Sequence, residues 1–487
     1  MNSETCTAET LSPPPSQATR RPPWLGLSVL LLAGFVTIFD LFVVNVAIPS
    51  MQTELGASLS QIGFIVAGYE LAFGVLLVTG GRLGDLYGRR RLFIVGMAGF
   101  TIASLFCGIA PTVEVLIGAR VAQGLAAALL FPQVYASIRV NFSGDDSQRA
   151  FGFLGMTLGL AAIAGQILGG FLVEADILGL GWRTIFLINV PIGLFAIAVA
   201  RFIPETLAPE RPALDWPGVA LVSLGLTLLL VPLVEAPTHG WQIWSFLALA
   251  GAAILLVAFY RQQERRRKTG HQPLVDMALM RQPRFAQGGL LVMLIYSTAS
   301  SFFLCFALLA QTGFGLSPFE AGSVFVPCSV AFVIFSLAAP RLVTRFGTPA
   351  IAVAALVYAI AYAALIGQVW IAGADLIVAG LIPALIVIGG AQAMIMTPLL
   401  NLVLGFVAER QAGMASGVIS TLQQIGAALG VAAVGILFGL ALAAEADGHA
   451  ALYAWAFVSG MSYNVIAAVI AAILLLRLTV YERRMSP

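Results

Sequence analysis

Two carboxylates and one guanidinium interrupt runs of apolar residues long enough to cross a bilayer: Asp40, Glu70 and Arg120. Isolated charge in hydrocarbon costs at least about 2.5 kcal/mol even on lenient insertion scales, so such side chains face a protein interior and mark ion or proton pathways. Glu70 falls roughly 15 Å into its segment at about 1.5 Å per residue, near the midplane. A carboxylate that meets water and a guanidinium at different stages can take up and release a proton. Glu70 is therefore the first candidate for proton coupling and Asp40 the second, with Arg120 as the cation that modulates them. The competing readings are a structural hydrogen-bonding group for Asp40 and a cation satisfied by backbone carbonyls for Arg120. A charge cluster also stands between two apolar runs: Gly80-Gly-Arg-Leu-Gly-Asp-Leu-Tyr-Gly-Arg-Arg-Arg91. It suggests hinge chemistry. Gly84 and Gly88 permit a sharp reversal, and Asp85 between them can reach a helix N-terminus or a basic side chain.

Other chemistries find no residues to run on. A phosphate loop needs Gly-Lys-Ser/Thr, and the only lysine, Lys268, follows Arg267, which excludes ATP-driven transport by this polypeptide. His239, His271 and His449 fall in predicted loops, and Cys6, Cys107, Cys305 and Cys328 show no paired spacing, so neither metal nor cofactor is expected. The run Arg265-Arg-Arg-Lys268 reads as a juxtamembrane anchor to anionic lipid, not as a nucleic-acid patch.

The elements that must hold these groups follow from composition. Of 487 residues, 60% are hydrophobic and 10% charged, with mean hydropathy +0.96, where soluble domains carry about a quarter charged residues. The chain is an all-α polytopic membrane protein. Apolar segments are predicted at 25–48, 60–80, 92–110, 114–138, 150–173 and 184–203, then 218–234 and 244–260, then 286–312, 320–340, 349–370, 376–405, 413–441 and 451–477. The layout is six, two, six. It predicts a polar tail over 1–24, a first bundle over 25–203, a linker with two extra helices and a basic loop over 204–285, a second bundle over 286–479, and a tail over 480–487. The two-helix insert, introduced by Asp215 and Gly218, is expected at the periphery. With the N-terminus inside, 23 of the 25 lysines and arginines fall on the cytoplasmic side and only Arg183 outside, a bias that a wrong number of spans would destroy. Both termini are thus expected in the cytoplasm of a multi-pass protein of the cell's inner membrane.

Gly81-Arg-Leu-Gly-Asp85-Leu-Tyr-Gly88-Arg-Arg-Arg91 resembles the loop motif between spans two and three of the major facilitator superfamily. Asp40 with Val44-Asn45-Val46-Ala47-Ile48-Pro49, Arg120-Val-Ala-Gln123-Gly124, and Trp182-Arg183 with Phe186-Leu-Ile-Asn189-Val-Pro191 resemble first-, fourth- and sixth-span motifs of its fourteen-span drug:proton antiporters, the EmrB and QacA type. Gln311, Ser317-Pro318, Gly413-Met-Ala-Ser416-Gly417 and Gln423-Gln424 extend the likeness into the second bundle. The resemblance implies two six-helix bundles plus two inserted helices, and proton-coupled efflux of hydrophobic or amphipathic drugs by alternating access. It makes Arg120 a proton-relay partner and Gly81, Asp85, Gly88, Arg89 and Arg90 a gating loop that latches the cytoplasmic side, helped by the span beginning near Ala412.

By the same resemblance, spans one, four, seven and ten of the core line the cavity, offering Phe39, Phe42, Asn45, Gln123, Phe131, Gln133, Phe302, Phe303, Phe306, Gln311, Gln392 and Met394; Tyr69 and Gln166 are added from spans two and five. An aromatic and amide lining with almost no charge suits a bulky apolar compound. Some of these phenylalanines could instead face lipid. Two residues depart from the pattern: Gln166 stands where the fifth span usually carries a proline, and Thr344 where the second bundle's loop could carry an aspartate. The missing proline leaves a proton-coupled importer or facilitator as the alternative. Small molecule, protons and membrane lipids are the expected partners, and the protein is expected to be a monomer.

Overall fold

In hydrocarbon every backbone N–H and C=O must be satisfied within its own segment, and helices do this wherever the apolar runs are long enough. The computed structural model describes residues 24–207, 214–271, 273–404, 406–407, 412–443 and 449–485. Among them, fourteen helices are long and apolar enough to cross a membrane, and no strand occurs.

The first six are α1 (Trp24–Leu55), α2 (Leu59–Tyr87), α3 (Arg89–Gly108), α4 (Val113–Asn141), α5 (Gly144–Glu174) and α6, the span Gly181–Phe202. Two inserted helices follow, α7 (Trp216–His239) and α8 (Ile243–Lys268). The last six are α9 (Pro283–Ala307), α10 (Pro318–Phe346), α11 (Thr348–Ala372), α12 (Ile382–Leu404), α13 (Ala412–Leu442) and α14 (His449–Met485). The predicted tail 1–24 lies outside the described residues up to 23, whereas α14 continues past 479, so the C-terminal tail is helical as far as it is described.

Local sequence sets the ends of the two second spans in the same way. Ser58 and Gln61 form a capping box at the start of α2, and Ser317 and Glu320 form one at the start of α10, with Pro318 at the first helical position. Each of these helices stops at a glycine with positive φ, Gly88 at +103° and Gly347 at +69°, and the next helix starts one residue later. The predicted tight loop over 80–91 is therefore a single-residue corner. Gly81 and Asp85 remain in the last turns of α2, because nothing before Gly88 interrupts helix formation. Gly84 serves packing, with the Gln133 side chain against its bare Cα, and takes no part in the reversal.

Helix α6 is broken between Leu187 and Asn189, as expected where Pro191 withholds the N–H that would bond Leu187. At the end of α9 the last turn widens into a π-turn over Leu308–Gly313. The first six and last six helices meet along two seams, α2 against α13 and α5 against α10. At the second, Gly170 lies against the Pro318–Phe319 backbone and Gly322 against the carbonyl of Gln166, approaches that any Cβ would block. Only the second helix of the insert is peripheral: α7 packs against both α2 and α13, with Leu226 buried between Val75 and Ile425, whereas α8 packs on α7 and stays largely exposed.

Candidate functional site

Asp40 of α1 is fully buried and held by three donors. Arg120 Nη1 donates to Oδ2 at 2.5 Å, while Gln123 Nε2 and Asn189 Nδ2 donate to Oδ1 at 2.8 and 2.9 Å. Helical spacing puts Arg120 and Gln123 on one face of α4, three residues apart, and the break in α6 presents Asn189. Arg120 also donates from Nε to the carbonyl of Ile65 at 3.2 Å and from Nη1 to Gln123 Oε1 at 2.7 Å. Its guanidinium lies 4.3 Å from the centroid of Tyr69 and 5.6 Å from that of Phe186. Gln123 completes the set by donating to Ser104 Oγ at 2.7 Å. Arg120 thus has the carbonyl contact of the structural reading, at Ile65, and also an ion pair with Asp40.

Glu70 is held differently. It is 1% exposed, one helical position from Tyr69, and its Oε1 accepts a hydrogen bond from Ser300 Oγ of α9 at 2.7 Å. Its Oε2 is buried with no partner. Arg120 therefore pairs with Asp40, not with the carboxylate ranked first from the sequence, whose Oε1 is taken up by Ser300 of α9. Glu70 instead bridges the first and second groups of helices.

The expected cavity residues separate into two sets. Asn45, Gln166, Phe303, Phe306 and Gln311 line one narrow pocket with Val46, Ala307, Ala321 and Gly322. Phe42 stands beside it, edge-on to Phe303 at 4.9 Å between centroids. Gln311 Nε2 donates to the carbonyl of Val46 at 2.9 Å, tying the π-turn to α1. The others lie outside the pocket. Tyr69 and Gln123 belong to the Asp40 network. Gln133 is fully buried and donates to the carbonyls of Gly80 and Leu129 at 2.9 and 3.0 Å, pinning α4 to α2. Phe39 is buried and stacks on Phe35 at 5.8 Å. Phe131 sits in an aromatic ladder between Phe73 and Tyr135 at 5.6 and 5.3 Å. Phe302 packs on Tyr362, while Gln392 and Met394 sit on α12 outside the pocket's lining. An amide inside a span bonds the nearest free carbonyl or charge, and the sequence does not say which one that is.

At the corner after α2, Asp85 Oδ1 accepts from Arg89 Nη2 at 2.7 Å, one turn ahead. The segment after α6 docks here. The Arg89 N–H donates to the Thr206 carbonyl at 3.1 Å and the Arg90 N–H to Glu205 Oε1 at 3.1 Å, with the Arg90 and Arg91 side chains 3.7 and 3.9 Å from Glu205. A Cβ on Gly88 would sit 2.6 Å from Glu205, so both backbone angle and space call for glycine. The Asp85 partner expected at the start of α13 adjoins residues 408–411, outside the described residues. Glu205, Asn189, Ser104 and Ser300 were not picked out as site residues, and for Ser300 no sequence signal existed, since an isolated serine in a span is ordinary.

A third buried acid was not expected from the sequence. Asp215, 1% exposed, accepts from Gln262 and Gln263 at 2.8 and 2.6 Å and lies 3.5 Å from Arg266 Nη1. Nearby, Arg82 at the end of α2 donates to the Pro273 carbonyl at 2.6 Å. In the second half, Thr298, Tyr358, Tyr362 and Asn464 form a neutral network, with Thr298 Oγ1 2.9 Å from the Tyr358 hydroxyl and Asn464 Nδ2 donating to the Thr298 carbonyl at 2.9 Å.

Two helical groups with buried polar networks and a pocket on their contact define a polytopic carrier, with no metal-binding cluster of His, Cys, Asp or Glu among the described residues. Comparison with known proteins agrees. Residues 30–431 match the Major Facilitator Superfamily family, and the chain belongs to it. It is 40% identical to a probable actinorhodin transporter of Streptomyces coelicolor over 88% of this chain and 74% of that one. It is 33% identical to a puromycin resistance protein of Streptomyces alboniger over 94% and 90% of the two chains. A solved POT family transporter in complex with 5-aminolevulinic acid superposes with TM-score 0.68 at 13% identity, covering 95% of this chain and 97% of that one, which speaks for the fold alone. The protein is a transporter of the drug-efflux type, not an enzyme, and crosses the membrane many times.

Proposed function

We propose that the protein exports uncharged or amphipathic aromatic small molecules from the cytoplasm in exchange for protons, by alternating tilts of the lobes 25–203 and 286–479. The observation that carries this reading is the Glu70–Ser300 hydrogen bond, a buried acid of one lobe held by a hydroxyl of the other. An ionised carboxylate with one unpartnered buried oxygen is poorly stabilised, whereas a proton on it lets the group donate as well as accept. Proton uptake and release at Glu70 would then change how firmly the lobes hold each other there. Asp40 and Arg120 act as the fixed charge pair behind it. The corner at Gly88, strapped by Glu205, works as the cytoplasmic latch, and the Arg-rich ends anchor to anionic lipid.

Several relatives support the direction and the cargo: their names record probable transport of actinorhodin, resistance to and export of tetracenomycin C, and resistance to puromycin. The chemistry of the pocket's lining, aromatic and amide without a charged side chain, supports an uncharged aromatic cargo. On this reading the protein works in the inner membrane as a monomer with both termini in the cytoplasm. Inverted vesicles energised by a proton gradient should accumulate aromatic dyes and antibiotics from a panel, and collapse of the gradient should release them. Accumulation that ignores the gradient would remove proton coupling, and loss of dye from right-side-out vesicles only down its own gradient would favour a facilitator.

A further inference from the structure

Close helix contacts wall in the narrow space between α1, α5, α9 and α10. Gly165 lies against the α1 backbone at Phe39 and Val43, and Gly322 of α10 lies against the Gln166 carbonyl, where a Cβ would sit 2.5 Å away. Two polar atoms of the residues lining this space have no protein partner. Asn45, 5% exposed, donates from Nδ2 to the carbonyls of Leu41 and Phe42 at 3.2 and 3.4 Å, which leaves Oδ1 as a buried acceptor. Gln166, 4% exposed, keeps Nε2 as a buried donor. Gln311 adds no further donor, because its Nε2 bonds the Val46 carbonyl at 2.9 Å. The room among these groups is that of about one water molecule. Apolar walls would keep such a space dry, whereas one acceptor and one donor are what a single water needs.

We propose that Asn45 and Gln166 form a binding site for one structural water, which donates to Asn45 Oδ1 and accepts from Gln166 Nε2. The water satisfies both amides at once and joins α1 to α5 inside the first lobe. Phe303 and Phe306 cover it from α9, and Ala321 and Gly322 cover it from α10. All four belong to the second lobe, so the site is closed only while the lobes meet at this end, opposite the Gly88 corner. The consequence for transport rests on the export reading above. When the lobes part here, each amide meets bulk water in place of the bound one. The hydrogen bonds of the shut seam are replaced rather than lost, and it opens without stranding a buried polar atom. The residue that stands where the family resemblance expects a proline thus supplies the donor that makes this seam wet.

Two measurements on the full chain in lipid nanodiscs, without a gradient, test the site. Short X-ray pulses split bound water where it sits, and the hydroxyl radical oxidises the ring it touches. Phe306, 4% exposed, should then be oxidised several-fold faster than Phe438, 1% exposed in the core of the second lobe. Radicals made from peroxide in the bulk solvent should label the two rings alike. Equal rates under the pulse, or the same excess with bulk radicals, overturns the proposal. The second measurement is a double-mutant cycle in thermal melting. Asn45→Leu and Gln166→Met keep the side-chain shapes and remove the polar atoms. If one water joins the two amides, either substitution strands the other, so each single variant should melt below wild type and the double variant should regain most of the loss. Losses that simply add overturn the bridge. The oxidation of Phe306 needs no variant, so it decides the matter if a substituted chain does not fold. A bridge upheld in a chain that shows no gradient-driven efflux would count against the export reading and leave the water site standing.

Discussion

Glu70 and Asp40 put the same carboxylate into the same hydrocarbon, and their neighbours divide the work between them. Asp40 has a cation and two amides, so removing one partner of so buried a pair costs roughly 3–5 kcal/mol and its loss should show first as instability. Glu70 has one serine hydroxyl and one empty lone-pair side, which leaves room for a proton. Glu70→Gln should therefore abolish gradient-driven efflux while substrate binding stays within a few-fold of wild type. Unchanged efflux in that variant would remove Glu70 from the mechanism. The depth of Glu70 was readable from the count of apolar residues around it, because helix rise is constant. Its partner was not, since Ser300 lies 230 residues away and carries no distinguishing pattern.

Among the elements, the α2–α3 corner shows how little chain a hinge requires. One glycine at φ +103° separates two helices, and Glu205 reaches over it to gather the Arg90 N–H and two guanidinium groups. Asp85 closes the last turn of α2 onto Arg89, so Asp85→Asn removes an ion pair at the proposed latch. We expect that variant to lower the efflux rate at saturating dye by about tenfold or more, with binding affinity little changed; such a loss corresponds to about 1.4 kcal/mol at the barrier. A normal rate would mean that the loop only sets topology. The insert changes standing for a related reason. Its helices carry no periodicity that distinguishes a lipid-facing from a seam-facing side, and only the packed structure puts Leu226 between Val75 and Ile425.

For the molecule as a whole, arginine placement makes a claim that labelling can check. Arg91 and Arg265 are both exposed and belong to one face, whereas Leu178 is exposed at the other. The native cysteines at 107, 305 and 328 are buried, so with Cys6→Ser a single introduced cysteine can be read alone. Arg91→Cys and Arg265→Cys should react with an impermeant maleimide only from the cytoplasmic side, and Leu178→Cys only from the outside. Opposite faces for the first two would break the count of spans between them.

Hydropathy and charge determined by themselves that the chain is helical, carries fourteen segments fit to cross the membrane and buries its two intramembrane acids, because the bilayer imposes length, internal hydrogen bonding and charge placement on each segment independently. Motif residues then pointed to Asp40, Arg120 and the Gly88 corner. The tertiary structure alone decided that Arg120 answers Asp40, that Glu70 reaches across to Ser300, and that Gln123 and Gln133 are bound up in packing while Asn45 and Gln166 keep free atoms facing a pocket. The physical reason is that a segment's membrane fit depends on its own composition, whereas a buried polar atom's role depends on which partner the packing of distant helices brings within about 3 Å.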